Sequence, residues 1–412
     1  MHTFFANNKE YMNKVVLQAS LFVALLSLSA CIEEYKLPDN FSNNFEPEIV
    51  INGRILNGEK SVVYVTQTLP FNSTEEQESL IDAQVTIIGQ DGYESGLARF
   101  DVEKDCYIID TGVLDAHTQY AVKVSVNGET YQSEFQPIQT TPDIDEVTYK
   151  ELMDGISIHV STHGDKNTSR HYMWTYEEVW EFHAEIDIKA FPPGGIIYEP
   201  LQYAESHTRN PYFYCWKSTQ SSNINLYDTS SLTENAVKEH ELFRIPADDM
   251  RISYIYSVQV KQWSLSRQAY DYYRLLKLYS EESGGLFSPV PAELQGNIRC
   301  VSHPGKKGKG YVIASNVTSK RLFVYASEFD TLKTTYSVCD YSQNGSNAAA
   351  SDPSGRWKEA WMSNIKSGAV IVTGNYTGEI TTNSVLYTKS CANCTAQPNA
   401  TNKRPDFWPN NH

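Results

Sequence analysis

Three groups of residues in this chain could do chemistry. The first is Leu28-Ser29-Ala30-Cys31. A large aliphatic residue, two small residues and a cysteine have the form of a bacterial lipobox. The small side chains let a peptidase reach the backbone, and the thiol is where a diacylglycerol attaches before cleavage. Cys31 is then the first residue of the mature chain. Each buried acyl methylene contributes about 0.8 kcal/mol, so two or three palmitate-sized chains hold a domain stably at a membrane. The preceding residues agree. Met12 is the expected start, and Lys14 supplies a positive charge. Residues 15–28 form an apolar run shorter than the roughly 20 residues of a transmembrane helix.

The second group is Glu181, His183, Glu185 and Asp187. On a strand these four share one face, and Trp180, Phe182, Ala184 and Ile186 share the other. Imidazole with carboxylates is a donor set for a divalent cation. Neighbours on one strand face stand roughly 6.6–6.8 Å apart, however, too far to converge on one ion unaided. A solvated strand face explains the alternation as well, and no metal is expected.

The third group is the cysteines. With Cys31 acylated, Cys106, Cys215, Cys300, Cys339, Cys391 and Cys394 remain, which in an exported chain permits up to three disulfides. Cys391-Ala392-Asn393-Cys394 is a lone CxxC, without the second pair that zinc needs or a thioredoxin-like setting. It reads as structural, stapling the tail.

Other motifs fail on their own terms. His240-Glu241 begins like a zincin helix, but Arg244 stands where the second histidine belongs. The glycine- and lysine-rich run at 305–310 lacks the spacing of a phosphate loop and reads as a basic hairpin loop. There is no nucleophile elbow. No catalytic residue and no cofactor are expected, and the chain is not expected to be an enzyme.

The elements that must carry these groups are mostly strands. The chain has 412 residues, 27 of them tyrosine, and a net charge of −16, which disfavours nucleic acid as a partner. Residues 1–30 are the signal peptide and 31–46 a polar tether. Residues 47–141 read as an immunoglobulin/transthyretin-like β-sandwich, with Asn127-Gly128 joining two alternating runs as a hairpin turn. Residues 142–412 form a larger β-rich domain. Its one clear helix spans 266–282, capped by Ser264 or Ser266, with Ala269, Tyr272, Tyr273, Leu276 and Tyr279 on one stripe.

Several stretches resemble a known family. They are Glu48-Ile49-Val50-Ile51-Asn52-Gly53, Tyr214-Cys215-Trp216, Gln262-Trp263-Ser264-Leu265-Ser266, Gly285-Leu286-Phe287-Ser288-Pro289 and Arg404-Pro405-Asp406-Phe407-Trp408. The chain is similar to Bacteroidota outer-membrane lipoproteins of domain of unknown function 4249. Glu33-Glu34, just behind Cys31, likewise resembles the surface-export signal of Bacteroidota lipoproteins. The resemblance implies a lipid-anchored protein on the cell exterior, commonly encoded beside a TonB-dependent transporter. It also implies a role in capturing a small nutrient, glycan or peptide. Adhesion without a transporter is the alternative expectation, and surface hydrolysis a more distant one. The resemblance carries over no catalytic residue.

The anchor is directly measurable. Native protein should partition into detergent and give an acylated N-terminal peptide at Cys31 by mass spectrometry. Cys31→Ser should partition into the aqueous phase.

Overall fold

The computed structural model describes residues 45–70, 73, 77–185, 212–221, 223–282, 294–334, 342–366, 370–372, 382, 385–387, 391 and 393–409. The chain divides into two units, residues 1–47 with 68–76 and residues 48–67 with 77–412. In the first, the Ser73 N–H donates to the Pro70 carbonyl at 2.9 Å. The described strands and helices lie in the second unit.

Residues 49–137 supply β1 (Ile49–Leu56), β2 (Lys60–Gln67), β3 (Gln84–Gly89), β4 (Arg99–Asp101), β5 (Cys106–Asp110), β6 (Gln119–Val126), β7 (Glu129–Ser133) and β8 (Gln136–Pro137). They split into two sheets. One runs β1-β2-β5-β4, and the other β7-β6-β3 with β8 also on β6. Alternation decides which side chains lie between the sheets. Ile51, Val63, Val65 and Ile109 from one meet Val85, Ile87, Tyr120, Val122 and Val124 from the other in a single core. Asn127 and Gly128 turn β6 into β7 with φ of 53° and 77°, the left-handed pair of a tight hairpin.

Residues 144–265 supply β9 (Ile144–Leu152), β10 (Gly155–His163), β11 (His171–His183), β12 (Tyr214–Gln220), β13 (Asn225–Asp228), β14 (Ala236–Pro246) and β15 (Ile255–Leu265), and helix α1 (Arg267–Glu282) follows. Then come β16 (Ile298–Cys300), β17 (Gly308–Lys309), β18 (Val312–Ser315) and β19 (Val317–Tyr325). Sheet β14-β10-β9 packs against sheet β12-β11-β15-β19, burying Ile156, Ile158 and Val160 against Tyr172, Trp174, Tyr256, Val258 and Val260. The Ser266 hydroxyl accepts from the Ala269 N–H at 3.2 Å and caps α1. The expected stripe packs as a core face, with Ala269 and Tyr272 buried beside Trp263 and Tyr311.

The expected boundary at 141/142 does not close the first sandwich, because later residues complete it. β18 pairs in parallel with β1, Gly53 opposite Val312, and β16 extends the other sheet through β7. The basic hairpin at 305–310 is therefore seated: Gly308 and Lys309 pair with Ile49 and Val50, and Lys306 reaches Glu129. Gly310 sits at φ 96°, where an added Cβ would lie 2.2 Å from the Ile51 carbonyl oxygen, so only glycine fits there.

One buried ionic cluster pins a turn inside the second sandwich. Glu178, 4% exposed, accepts from Arg251 at 2.8 Å and from the Tyr256 hydroxyl at 2.7 Å. Arg251 also forks onto Asp249 at 2.7 and 3.1 Å. Arg251→Met strands Glu178 without its cation, and should cost about 3 kcal/mol, read as a lower urea midpoint. Burial alone would raise the Asp249 carboxyl, but the Arg251 hydrogen bonds outweigh it and hold it below its ordinary value. A carboxyl depressed by folding stabilises fully above its unfolded value near 4, and that contribution fades as pH falls through the folded one. Acid should therefore lower the urea midpoint of the native chain more than that of Asp249→Asn.

Candidate functional site

β11 presents alternate side chains to opposite sides of its sheet. Tyr172, Trp174 and Tyr176 enter the sandwich core, while Val179, Glu181 and His183 point outward. The outward face should meet water, yet Glu181 has no exposed surface. It is covered by the C-terminal residues, which run across the face as a strap.

The strap is fastened first on the other side of the sheet, where Cys394 packs with Phe182, and then passes the edge strand onto this face. Cys394 is disulfide-bonded to Cys215 on β12, 179 positions earlier. Thr401 then forms a reciprocal backbone bridge with Trp216, at 2.8 and 3.0 Å. Phe407 lies over the Arg321 guanidinium at 3.7 Å. Trp408 is buried edge-on to Trp216 and Phe323, against Val179 and Ile255. Its indole Nε1–H donates to Glu181 Oε2 at 2.9 Å.

Glu181 Oε1 meets His183 Nε2 at 2.7 Å. With the carboxylate ionised, Nε2–H is the donor, so both oxygens accept and the buried charge is compensated. The imidazole contacts three rings, Tyr254 at 3.6 Å and Phe213 at 5.2 Å, both tilted to it, and Tyr214 edge-on at 4.5 Å. Tyr254 is 42% exposed. Burial pushes its hydroxyl up, and the carboxylates of Glu185 and Glu181 add to that. The result is an aromatic surface on an acidic ground. Such a surface suits stacking and hydrogen bonding to a neutral ligand or a partner chain.

The expected residues separate into groups. Leu28, Ser29, Ala30, Cys31, Glu33 and Glu34 lie outside the described residues, as do Asp187 and Cys339. Glu181 and His183 do come together, but as a hydrogen-bonded pair under the strap, and Glu185 is exposed beyond the strand. Among the described residues, no group of three or more His, Cys, Asp or Glu side chains could hold a metal ion. The two CxxC cysteines do not bond each other: Cys394 takes Cys215, and Cys391 is bonded to a partner outside the described residues. Cys106 and Cys300 are buried and free, so the six do not all pair. His240 lies on strand β14 against Tyr227, and Glu241 pairs with Arg244, an arrangement unrelated to a zincin.

One pair escaped the sequence reading. Ser157 Oγ lies 2.8 Å from His159 Nε2, and His159 Nδ1 meets the Glu239 carbonyl at 2.9 Å. Serine and histidine two apart on a strand is the signal, since they share a face. The geometry is that of a hydroxyl on a base, but Ser157 is only 1% exposed. What the pair does is hold the β-bulge where Glu239 takes φ 45°.

Fold and site together define a double β-sandwich protein whose candidate site is a surface rather than a cleft. Residues 32–321 match the model of the family described as Domain of unknown function (DUF4249), and the chain belongs to that family. Comparison with the curated proteins gives no match. Among solved structures, a two-domain fibronectin type III segment of chicken tenascin is similar at 10% identity, over 53% of this chain and 91% of that one, with a TM-score of 0.16. A protein from Corynebacterium diphtheriae described as membrane-anchored is similar at 15% identity, over 53% of this chain and 54% of that one, also at 0.16. Neither superposition bears on the fold, which rests on the sheet register. No helix among the described residues is long and apolar enough to cross a membrane.

The Cys215–Cys394 bridge closes a loop of 179 positions. Chain entropy gives about 5 kcal/mol for such a loop, and the second disulfide at Cys391 constrains part of the same chain already. Replacing both cysteines by serine should lower stability by about 2–4 kcal/mol in denaturant melts.

Proposed function

We propose that this protein is a surface-exposed outer-membrane lipoprotein that works as an accessory, substrate-capturing partner of a TonB-dependent transporter in nutrient uptake. The observation that carries this reading is the cysteine at 31, set behind Leu28-Ser29-Ala30 and ahead of a polar tether. Acyl chains on that thiol confine the body to the membrane plane, which raises its effective concentration at a neighbouring barrel without any further contact. Glu33-Glu34 supports export to the outer face. Membership of the family is compatible with this role.

The body supports binding rather than catalysis. Its exposed aromatic surface around Tyr254 offers stacking area, and its Ser157–His159 pair is enclosed. A net charge of −16 argues against nucleic acid as the partner.

Affinity capture of tagged, detergent-solubilised protein from native outer membranes tests the reading. A plug-and-barrel transporter should co-purify in near-stoichiometric amount, and Cys31→Ser should lose it. Capture of the intact lipoprotein with no transporter would remove the proposal.

A further inference from the structure

The outer face of the β1-β2 sheet carries an arginine with no acid paired to it among the described residues. Arg54 on β1 stands opposite Val62 on β2, and Asn52 opposite Tyr64. Arg54 and Tyr64 therefore share this face, while Ile55, Val63 and Val65 enter the core from the other. The Arg54 guanidinium lies over the Trp263 ring at 4.9 Å, where β15 of the second sandwich comes against it. It is half-buried, and it makes no ion pair or hydrogen bond among the described residues. The chain holds 50 acidic residues against 34 Lys and Arg, so acids are plentiful, yet none is placed here.

The surroundings suit an anion with an organic body. Stacking on Trp263 occupies the flat side of the guanidinium and leaves its N–H edges, the fork that takes a carboxylate or phosphate in two parallel hydrogen bonds. Two tyrosines flank it. Burial raises the hydroxyls of Tyr64 and Tyr273, and the charge of Arg54 pulls against that rise at both, so it is felt on β2 and on helix α1 alike. Tyr64 is 39% exposed, which leaves the face open to solvent on that side. Trp263 is 2% exposed, and its indole N–H has no acceptor among the described residues. The local balance is donors without acceptors, on an aromatic lining. Elsewhere in this fold a buried cation is given its acids, as Arg251 is by Glu178 and Asp249. Holding a partly buried cation unpaired costs free energy that a bound oxyanion recovers.

We propose that Arg54 is the centre of a binding site for a small organic anion, a carboxylate or a phosphate ester. The oxyanion takes the guanidinium edges, and the organic part lies against Tyr64 and Tyr273. Trp263 holds the guanidinium plane. The site stands at the opposite end of β15 from Tyr254. It needs neither the lipid anchor nor a transporter, so a failed membrane capture leaves it standing.

Benzoate and phenyl phosphate are the probes, titrated into the full chain by calorimetry with neutral benzamide as the control. At least one anion should bind saturably at one site, and benzamide should not. Tighter benzoate assigns a carboxylate ligand, and tighter phenyl phosphate a phosphate ester. Arg54→Gln should weaken binding at least tenfold. A second readout needs no variant to fold: phenylglyoxal labels accessible arginines, and a saturating probe should protect Arg54, scored by peptide mass spectrometry, while Arg99, its side chain 78% exposed, stays labelled. No saturable binding of either anion, benzamide binding as tightly, unchanged binding to folded Arg54→Gln, or equal labelling of Arg54 with and without probe overturns the proposal.

Discussion

The parallel pairing of β18 with β1 is the constraint on which the rest of this structure depends. It places Val312 opposite Gly53 and lets the Tyr311 N–H donate to Asn52 Oδ1 across 259 positions of chain. The first sandwich therefore lacks an edge of one sheet, and β16 of the other, until the second sandwich has been traversed. Closing so long a loop costs entropy that grows only slowly with length, but it delays the contacts that reward it. The two sandwiches are bound to fold as a coupled pair.

That coupling is reinforced by a dry polar seam. The Gln262 amide donates to the Pro142 carbonyl at 2.8 Å and to Thr162 Oγ1 at 3.1 Å, and accepts from Trp174 Nε1 at 2.8 Å. Thr141 Oγ1 meets Ser315 Oγ at 2.9 Å and the Asn316 carbonyl at 2.7 Å, and it accepts from the Ser264 N–H at 3.0 Å. Hinging here would strip partners from groups that have no water to replace them, and each such loss is expensive. The seam holds the linker at 141–142 rigid, so any surface on the second sandwich is presented in a fixed attitude to the first.

What could be seen in the sequence follows from range. The hairpin at Asn127-Gly128, the alternation of Tyr120, Val122, Val124 and Val126, and the helix beginning behind Ser266 are local patterns, and each appears where its spacing puts it. The parity of β11 was also legible, since Phe182 and Glu181 do take opposite sides. What lies over Glu181 was not. A strand reports which residues share a face, but not which distant segment covers it, and Trp408 arrives from 227 positions away. Cysteine pairing stays open in the sequence for the same reason: spacing does not tell which distant cysteine arrives, and the fold sends Cys394 to Cys215. The lysine-rich hairpin looked like a free loop because its parallel partner, β1, lies at the other end of the chain.

The strap solves a problem that the sheet creates. Val179, Trp216, Ile255 and Phe323 would form an apolar patch on the outer face of an otherwise polar surface, and such patches on soluble domains are sites of association. Glu181 compounds the problem, because a carboxylate among apolar side chains needs donors for its oxygens, and His183 on the sheet meets Oε1. Trp408 answers both needs with one side chain, its rings covering the patch and its Nε1–H completing the carboxylate. Three of the four patch residues fall inside the region matched by the family model, which ends at 321, whereas the strap lies wholly beyond it. A chain that keeps this face without this tail must find another cover for it, in its own sequence or on a partner, and that requirement makes the face more informative about binding than the strap that hides it here.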